Sequence, residues 1–204
     1  MGAAVAAGVD WVQLRDRSLE ARALLELARE LRAAANEAAG ERAEACALIV
    51  NRRIDVALAL ADESRGGVRI GVHLGFDAAP LARAREALVH LAERPGPIGV
   101  ATHGAEEAAR AAAAGADYVH LAPIFDPLSK PRERAALGTQ ALAEASHSLG
   151  ACRLLAQGGV EAANAGEALR AGAGGVAVTG AILAAPHPGR AAASLRATLD
   201  RAAG

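Results

Sequence analysis

Polar side chains interrupt a short apolar run near the start of the chain in a pattern that could bind an anion. The run VQLRDR, residues 12–17, alternates apolar side chains with Gln13 and Arg15, and Arg17 follows. In an extended strand this alternation places Gln13 and Arg15 on one face. Arginine at a strand end suits a diphosphate, because its planar guanidinium group donates two hydrogen bonds to an oxyanion. A salt bridge at the rim of a sheet accounts for the same residues equally well.

Later apolar runs also end in, or contain, polar groups. The run LIVN ends in Asn51, GVHLG contains His73, and DYVHLAPIF contains His120. The loop after the last of these contains Lys130, whose ammonium group could reach a bound phosphate. His120 could carry a proton at neutral pH or pack as a structural histidine, and the sequence leaves both readings open. For His73 a structural role in the core is the favoured interpretation.

Two glycine-rich turns follow the last two apolar runs. The segments LLAQGGV and GGVAVTGAI each lead from a predicted strand into a predicted helix. Backbone N–H groups at such turns can cradle a phosphate. Tight packing of helix on strand also favours glycine, but two turns at the last two strands are a recurring phosphate site in barrels. The predicted phosphate ligands are the backbone amides of Gly158, Gly159, Thr179 and Gly180.

Short β-type runs alternate with Ala- and Leu-rich, helix-length segments along the whole chain. Strict alternation of this kind predicts an α/β fold with a parallel sheet. The strand candidates are Trp11–Arg15, Ala47–Asn51, Gly71–Gly75, Ile98–Thr102, Tyr118–Ile124, Cys152–Gln157 and Gly175–Thr179. The clearest helix candidates are Leu19–Glu37, Ala79–Glu93, Ala105–Ala114 and Ala162–Ala171.

The predicted architecture is a TIM (β/α)8-type barrel formed by one domain over residues 1–204. A closed barrel of this type has eight strands, and seven strand candidates are present. The opening stretch GAAVAAGVD has the composition of a helix end that leads into the first strand. We therefore expect a barrel that lacks its first strand and most of its first helix. Open sheet edges expose unpaired backbone groups, so a homo-oligomer could cover them.

Composition excludes several classes of function. The chain has 22 basic and 23 acidic residues, well mixed, and only 2% aromatic residues. Nucleic-acid binders need basic surfaces or aromatic platforms, so no nucleic-acid partner is expected. No apolar stretch approaches the ~20 residues of a membrane span, and no signal peptide is recognisable. Cys46 and Cys152 are predicted to be reduced, buried residues. A cytoplasmic protein without a membrane partner is expected.

The motifs taken in order resemble the thiamine-phosphate synthase and thiazole tautomerase family. The resemblance begins at about Ala6, runs over nearly the whole chain, and implies N-terminal truncation relative to that family. It rests on seven segments in the family's order, none of them specific alone. They are VQLRDR, LIVN, GVHLG, IGVATH, GADYVHLAPIF with its following SK, LLAQGGV and GGVAVTGAI.

The resemblance implies a transferase of thiamine biosynthesis. Such an enzyme joins hydroxymethylpyrimidine diphosphate to thiazole phosphate and releases pyrophosphate, so its partners are small phosphorylated molecules. By resemblance Gln13 contacts the pyrimidine, and the glycine-rich turns bind the thiazole phosphate with Ser129 as a further hydroxyl. The diphosphate ligands implied are Arg15, Arg17, Asn51 and Lys130. Arg15, Lys130 and His120 are the predicted catalytic residues, because fixed cations stabilise the charge on departing pyrophosphate.

The chain departs from the family at its metal-binding positions. The family implies Mg²⁺, held by an Asn-Asp pair and by the aspartate of a Gly-Gln-x-Asp motif. This chain has Asn51-Arg52 at the first position, and at the second Asp77 lies one residue early, which leaves it as the single candidate metal ligand. Two alternatives therefore stay open: a catalytically impaired barrel that binds phosphorylated ligands, and a thiazole tautomerase. The tautomerase branch is expected to carry its catalytic histidine where this chain has Pro123.

Overall fold

The predicted alternation of strands and helices is present in a computed structural model, which describes residues 1–63, 66–75, 81–126 and 135–204. Within these ranges the chain forms seven strands and nine α-helices. The strands are β1 (Trp11–Leu14), β2 (Ala47–Asn51), β3 (Arg69–Leu74), β4 (Ile98–Thr102), β5 (Tyr118–Leu121), β6 (Arg153–Gln157) and β7 (Gly175–Ala177). The helices are α1 (Gly2–Ala6), α2 (Ala21–Ala39), α3 (Ile54–Asp62), α4 (Leu81–Leu91), α5 (Ala105–Ala113), α6 (Gly138–Ser146), α7 (Ala165–Arg170), α8 (Gly180–Leu183) and α9 (Pro188–Ala203).

Each strand lies where the sequence predicts one, and the strands follow one another in the sheet in sequence order. The predicted ends differ by up to three residues, the largest change being β5, which ends at Leu121 rather than Ile124. The contacts divide the chain into two compact units, Met1–Gly99 and Val100–Gly204. Among the described helices, none has the length and apolar character needed to cross a bilayer.

The register in the first unit sets which side chains share a face. In the parallel strands Gln13 is level with Ile49, and Ile49 is level with Gly71. Two residues further on, Asn51 is level with His73. Because side chains alternate between faces, these five residues share one face of the three strands. The other face is apolar throughout, with Val12, Leu14, Leu48, Val50, Ile70, Val72 and Leu74.

Small side chains fill much of the core, as the composition requires. Alanines with no exposed surface occur in both units, and they let helices approach strands closely. They include Ala28, Ala57, Ala61, Ala108, Ala145, Ala156, Ala165 and Ala168. Both cysteines are free thiols. Cys46 is buried, as predicted. Cys152 is only partly buried, so the prediction of burial is wrong for this residue. Desolvation nevertheless raises the pKa of Cys152 to about 11.

The absence of a side chain at Gly71 allows the chain before β4 to lie against β3. Gly96 donates its N–H to the Ile70 carbonyl oxygen at 2.8 Å, and Val72 donates to that of Pro97 at 3.1 Å. A Cβ atom on Gly71 would lie 2.3 Å from the Pro97 oxygen. Because that neighbour is hydrogen-bonded backbone, it cannot move aside without loss of these bonds.

Gly71→Ala is therefore expected to lower the free energy of unfolding by about 1–3 kcal/mol, the usual range for overpacking. Urea titration followed by circular dichroism measures this change. Gly166→Ala in α7 is the matched control, since its Cβ would meet only ordinary contacts of 3.6 Å or more. Equal stability of the two variants would contradict the close approach.

Candidate functional site

The ends of β1, β2 and β3 bring several predicted site residues to one edge of the first unit. Continuation of the β1–β2 register beyond Leu14 and Val50 puts Arg15 level with Asn51, which is itself level with His73. The three side chains leave the sheet on the same face. Arg15 is exposed, Asn51 is half-buried, and His73 is only 4% exposed. The edge thus has an exposed polar group at Arg15 and a packed histidine at His73.

Gln13 carries an unsatisfied group on the same face, one layer below Arg15. Its Nε2 atom is buried and has no hydrogen-bond partner among the described residues. A buried donor without a partner costs about 1–3 kcal/mol, so such a group calls for a ligand or a water. The sequence predicted which face Gln13 occupies but contained no signal for this missing partner.

The loop after β1 folds around Asp16 and presents arginines on either side of it. Asp16 Oδ1 accepts the backbone N–H and the hydroxyl of Ser18, both at 2.7 Å, and the N–H of Leu19 at 3.1 Å. The Ser18 hydroxyl bond, followed by the two backbone bonds, lowers the pKa of Asp16. The carboxylate is thus used to order the loop, and Arg15 and Arg17 remain exposed.

The turn after β2 is held in an unusual backbone conformation. Arg52 has a φ of 62°, and among the described residues it is the one non-glycine residue with a positive φ. This conformation costs on the order of 1–2 kcal/mol for a residue with a Cβ. The Arg52 N–H donates to the His73 carbonyl oxygen at 2.8 Å, and the Arg53 N–H donates to that of Asn51 at 2.8 Å. The first bond ties the turn to the end of β3, and the second closes the turn at the end of β2.

Arg53 has a local partner on α3. Its Nε and Nη2 atoms donate to the two Asp55 carboxylate oxygens at 2.9 and 2.6 Å. This pairing is the first cause of the lowered pKa of Asp55. The Asp55 carboxylate is therefore already engaged by Arg53.

The first glycine-rich turn lies in the second unit, between β6 and α7. Gly158 and Gly159 have φ values of 88° and 62°. A Cβ on Gly158 would lie 2.7 Å from Pro123 Cβ, and one on Gly159 would lie 2.3 Å from the Asp126 oxygen. Close packing therefore accounts for both glycines. The predicted phosphate role of their amides stays a prediction that this geometry permits.

Asn164 braces this turn from the start of α7. Its Nδ2 donates to the Gly159 carbonyl oxygen at 2.9 Å, and its Oδ1 accepts the Glu161 N–H at 2.9 Å. The carbonyl side of the turn is thus fixed, which leaves the amide side for a ligand. The sequence analysis missed Asn164, although asparagine just before a helix is a recognisable signal for a local side-chain to backbone bond.

The second glycine-rich turn continues from β7. Gln157, the last residue of β6, is level with Ala177, the last residue of β7, and the two glycine-rich turns follow these strand ends. The Thr179 carbonyl oxygen accepts the N–H groups of Ile182 and Leu183 and so starts α8. A Cβ on Gly180 would meet nothing within 4 Å. The two turns therefore lie side by side at one edge of the second unit.

His120 is a packed residue in the second unit. It is 6% exposed, and its ring centroid lies 5.2 Å from that of Tyr118. Burial lowers its pKa to about 4, and a hydrogen bond with the Gln157 side chain opposes that shift. The imidazole is neutral at physiological pH, so it lacks the pKa near 7 that suits a general base. Its predicted catalytic role stays a prediction, and the packed reading is the one the burial favours.

Three predicted site residues lie outside the described residues. They are Asp77, Ser129 and Lys130.

The comparisons with known proteins identify the family. The family described as thiamine monophosphate synthase matches residues 1–182 of the chain. The chain belongs to the thiamine monophosphate synthase family. A thiamine-phosphate synthase of Methanoculleus marisnigri is 38% identical over 194 residues, which cover 95% of this chain and 83% of that protein. One from Chloroflexus aurantiacus is 36% identical over 198 residues, covering 97% and 83%.

A solved structure of the thiamine monophosphate synthase family shows the same fold. The thiamine phosphate pyrophosphorylase of Pyrococcus furiosus matches with a TM-score of 0.80 and 28% sequence identity. The match covers 100% of this chain and 89% of that chain. The predicted fold class, an α/β fold of the TIM-barrel type, is confirmed.

The thiamine-phosphate synthase family is known to use Mg²⁺. Mg²⁺ prefers oxygen ligands, above all carboxylates. No group of three His, Cys, Asp or Glu side chains that could hold a metal occurs among the described residues. At the end of β2 the side chains are Asn51, Arg52 and Arg53, and the adjacent Asp55 is bound by Arg53. This donor set does not fit Mg²⁺.

The low pKa of His120 predicts a pH dependence of stability. In the unfolded chain the histidine pKa is about 6.5, so His120 binds a proton at pH 5. In the folded state its pKa is about 4, and at pH 5 it does not bind that proton. Stability therefore falls as the pH is lowered through this window, by about 2 kcal/mol at pH 5. His120→Gln should remove that part of the loss.

Urea titrations at pH 7.5 and pH 5 measure the effect as a smaller difference in unfolding free energy for His120→Gln than for the parent. His90→Gln, at an exposed position on α4, is the control. If the unfolding free energy changed equally between the two pH values in all three proteins, the low pKa of His120 would be contradicted.

Proposed function

We propose that this protein is a thiamine-phosphate synthase, which joins hydroxymethylpyrimidine diphosphate to thiazole phosphate and releases pyrophosphate. Membership of the family and relatives of that name at 36–38% identity support the proposal. In the structure, the proposal rests on the polar side chains that share one face at the ends of β1 and β2. There Gln13 has an unsatisfied buried amide, and Arg15 and Asn51 stand above it on the same face.

Arg15, Arg17 and Asn51 are proposed to hold the diphosphate. Two exposed guanidinium groups and an amide offer donors to several phosphate oxygens at once. The resemblance to the family adds Lys130 to this set. Negative charge grows on the leaving pyrophosphate as the carbon–oxygen bond breaks, and cations fixed in advance stabilise it without reorganisation.

Gln13 is proposed to recognise the pyrimidine. Its unpartnered Nε2 can donate to a ring nitrogen, and its Oε1 can accept from an exocyclic amine. Such an arrangement gives selectivity, because a ligand without these groups would leave the buried amide unpaired.

The glycine-rich turns are proposed to bind the thiazole phosphate. The amides of Gly158 and Gly159 and those of Thr179 and Gly180 lie on neighbouring strand ends of the second unit, and Asn164 holds the first turn in place. The thiazole nitrogen then attacks the methylene carbon with its lone pair. Because that nitrogen carries no proton to be removed, bond formation needs no general base, and a neutral His120 is compatible with it.

The test is an assay of thiamine phosphate and pyrophosphate formation from the two family substrates. Arg15→Ala should lower kcat/KM on the order of 100-fold, the usual effect of loss of one preorganised donor at a developing charge. Arg22→Ala, an exposed arginine on α2, should leave kcat/KM within about twofold of the parent, as surface changes usually do.

A folded protein that makes no thiamine phosphate, with or without Mg²⁺, would overturn the proposal. Calorimetric binding of only one substrate in that case would support the ligand-binding alternative instead.

A further inference from the structure

Arg52 has a backbone conformation that disfavours residues with a side chain. The left-handed conformation with a φ of 62° is common for glycine and rare for other residues, and this chain has arginine there. Hydrogen bonds from the Arg52 N–H to His73 and from the Arg53 N–H to Asn51 hold the turn. Residues kept in such conformations cluster at functional sites.

Among the described residues, two carboxylates that follow β1 and β2 accept hydrogen bonds from the protein itself. Asp16 Oδ1 accepts three hydrogen bonds from its own loop. Both oxygens of Asp55 accept from Arg53. Local hydrogen bonds therefore occupy one oxygen of Asp16 and both oxygens of Asp55.

The charge at the same strand ends favours an anion. Four arginines and three carboxylates lie in the segments that follow β1 and β2, and two of the carboxylates form the local bonds described above. A divalent cation would be repelled by these guanidinium groups, whereas a diphosphate would be attracted. The arginines are Arg15, Arg17, Arg52 and Arg53, and the carboxylates are Asp16, Glu20 and Asp55.

We propose that the guanidinium group of Arg52, together with Arg15 and Arg17, neutralises the substrate diphosphate in place of a metal ion, so that the diphosphate binds without a divalent cation. The inference rests on the proposed synthase function and specifies how its diphosphate site works. The carbon–oxygen bond breaks with its electron pair leaving on pyrophosphate. A guanidinium group differs from a metal in that its charge is permanent and its donors are planar.

Calorimetry with inorganic pyrophosphate tests the inference directly. In the presence of EDTA the parent protein should bind pyrophosphate, and excess Mg²⁺ should not tighten binding. Arg52→Gly should weaken binding in EDTA about tenfold or more, the usual effect of loss of a charge-assisted hydrogen bond. Arg22→Ala should bind as the parent does.

The melting temperature of Arg52→Gly distinguishes an effect of the lost charge from an effect on folding. Glycine relieves the positive φ at this turn, so the melting temperature should stay the same or rise while pyrophosphate affinity falls. A fall in both would show that the arginine serves the turn alone and would overturn the inference.

Arg52→Asp provides a second variant. Its binding of pyrophosphate should be lost in EDTA and recovered in part with Mg²⁺, because a carboxylate beside Asn51 restores an oxygen ligand. If the parent binds pyrophosphate only with Mg²⁺, and Asp77→Asn abolishes that binding, the inference is wrong while the synthase proposal stands. If the parent also forms no thiamine phosphate under any condition, the proposed function fails as well.

Discussion

The parallel register of β1, β2 and β3 is the constraint on which the diphosphate site depends. It places Gln13, Ile49 and Gly71 in one layer and Asn51 with His73 in the next, and it carries Arg15 to the level of Asn51. A shift of one residue in β1 would send Gln13 and Arg15 to the apolar face. The burial of Leu14, Leu48 and Val50 on that face makes such a shift costly, so packing in the core fixes the position of the polar groups.

Two chemical solutions exist for the charge of a diphosphate, and the described residues at these strand ends fit one of them. A metal site needs carboxylates, whereas Asp16 is hydrogen-bonded by Ser18 and Leu19, and Asp55 by Arg53. A guanidinium site needs arginines on an ordered backbone, and the Asp16 loop and the turn at Arg52 supply it. The hydrogen bonds of Asp16 order the loop that carries Arg15 and Arg17, and backbone hydrogen bonds order the turn at Arg52.

The sequence predicted the strands and the polar strand ends well, because period-two alternation and glycine-rich turns are local signals. It could not predict which groups lack partners. The unsatisfied Gln13 amide and the contact of His120 with Gln157 each depend on residues far apart in the chain. The positive φ of Arg52 could not be predicted for a related reason: a hydrogen bond to His73 in β3, distant in sequence, holds a backbone conformation that arginine does not prefer.

The most direct test of the account is a crystal structure of the protein grown with inorganic pyrophosphate and EDTA. The account predicts a diphosphate at the carboxyl ends of β1 and β2, with its oxygens within about 3.2 Å of the Arg15 guanidinium and the Asn51 amide, a normal hydrogen-bond distance. An anion bound elsewhere, or arginines that point away from it, would contradict the central claim.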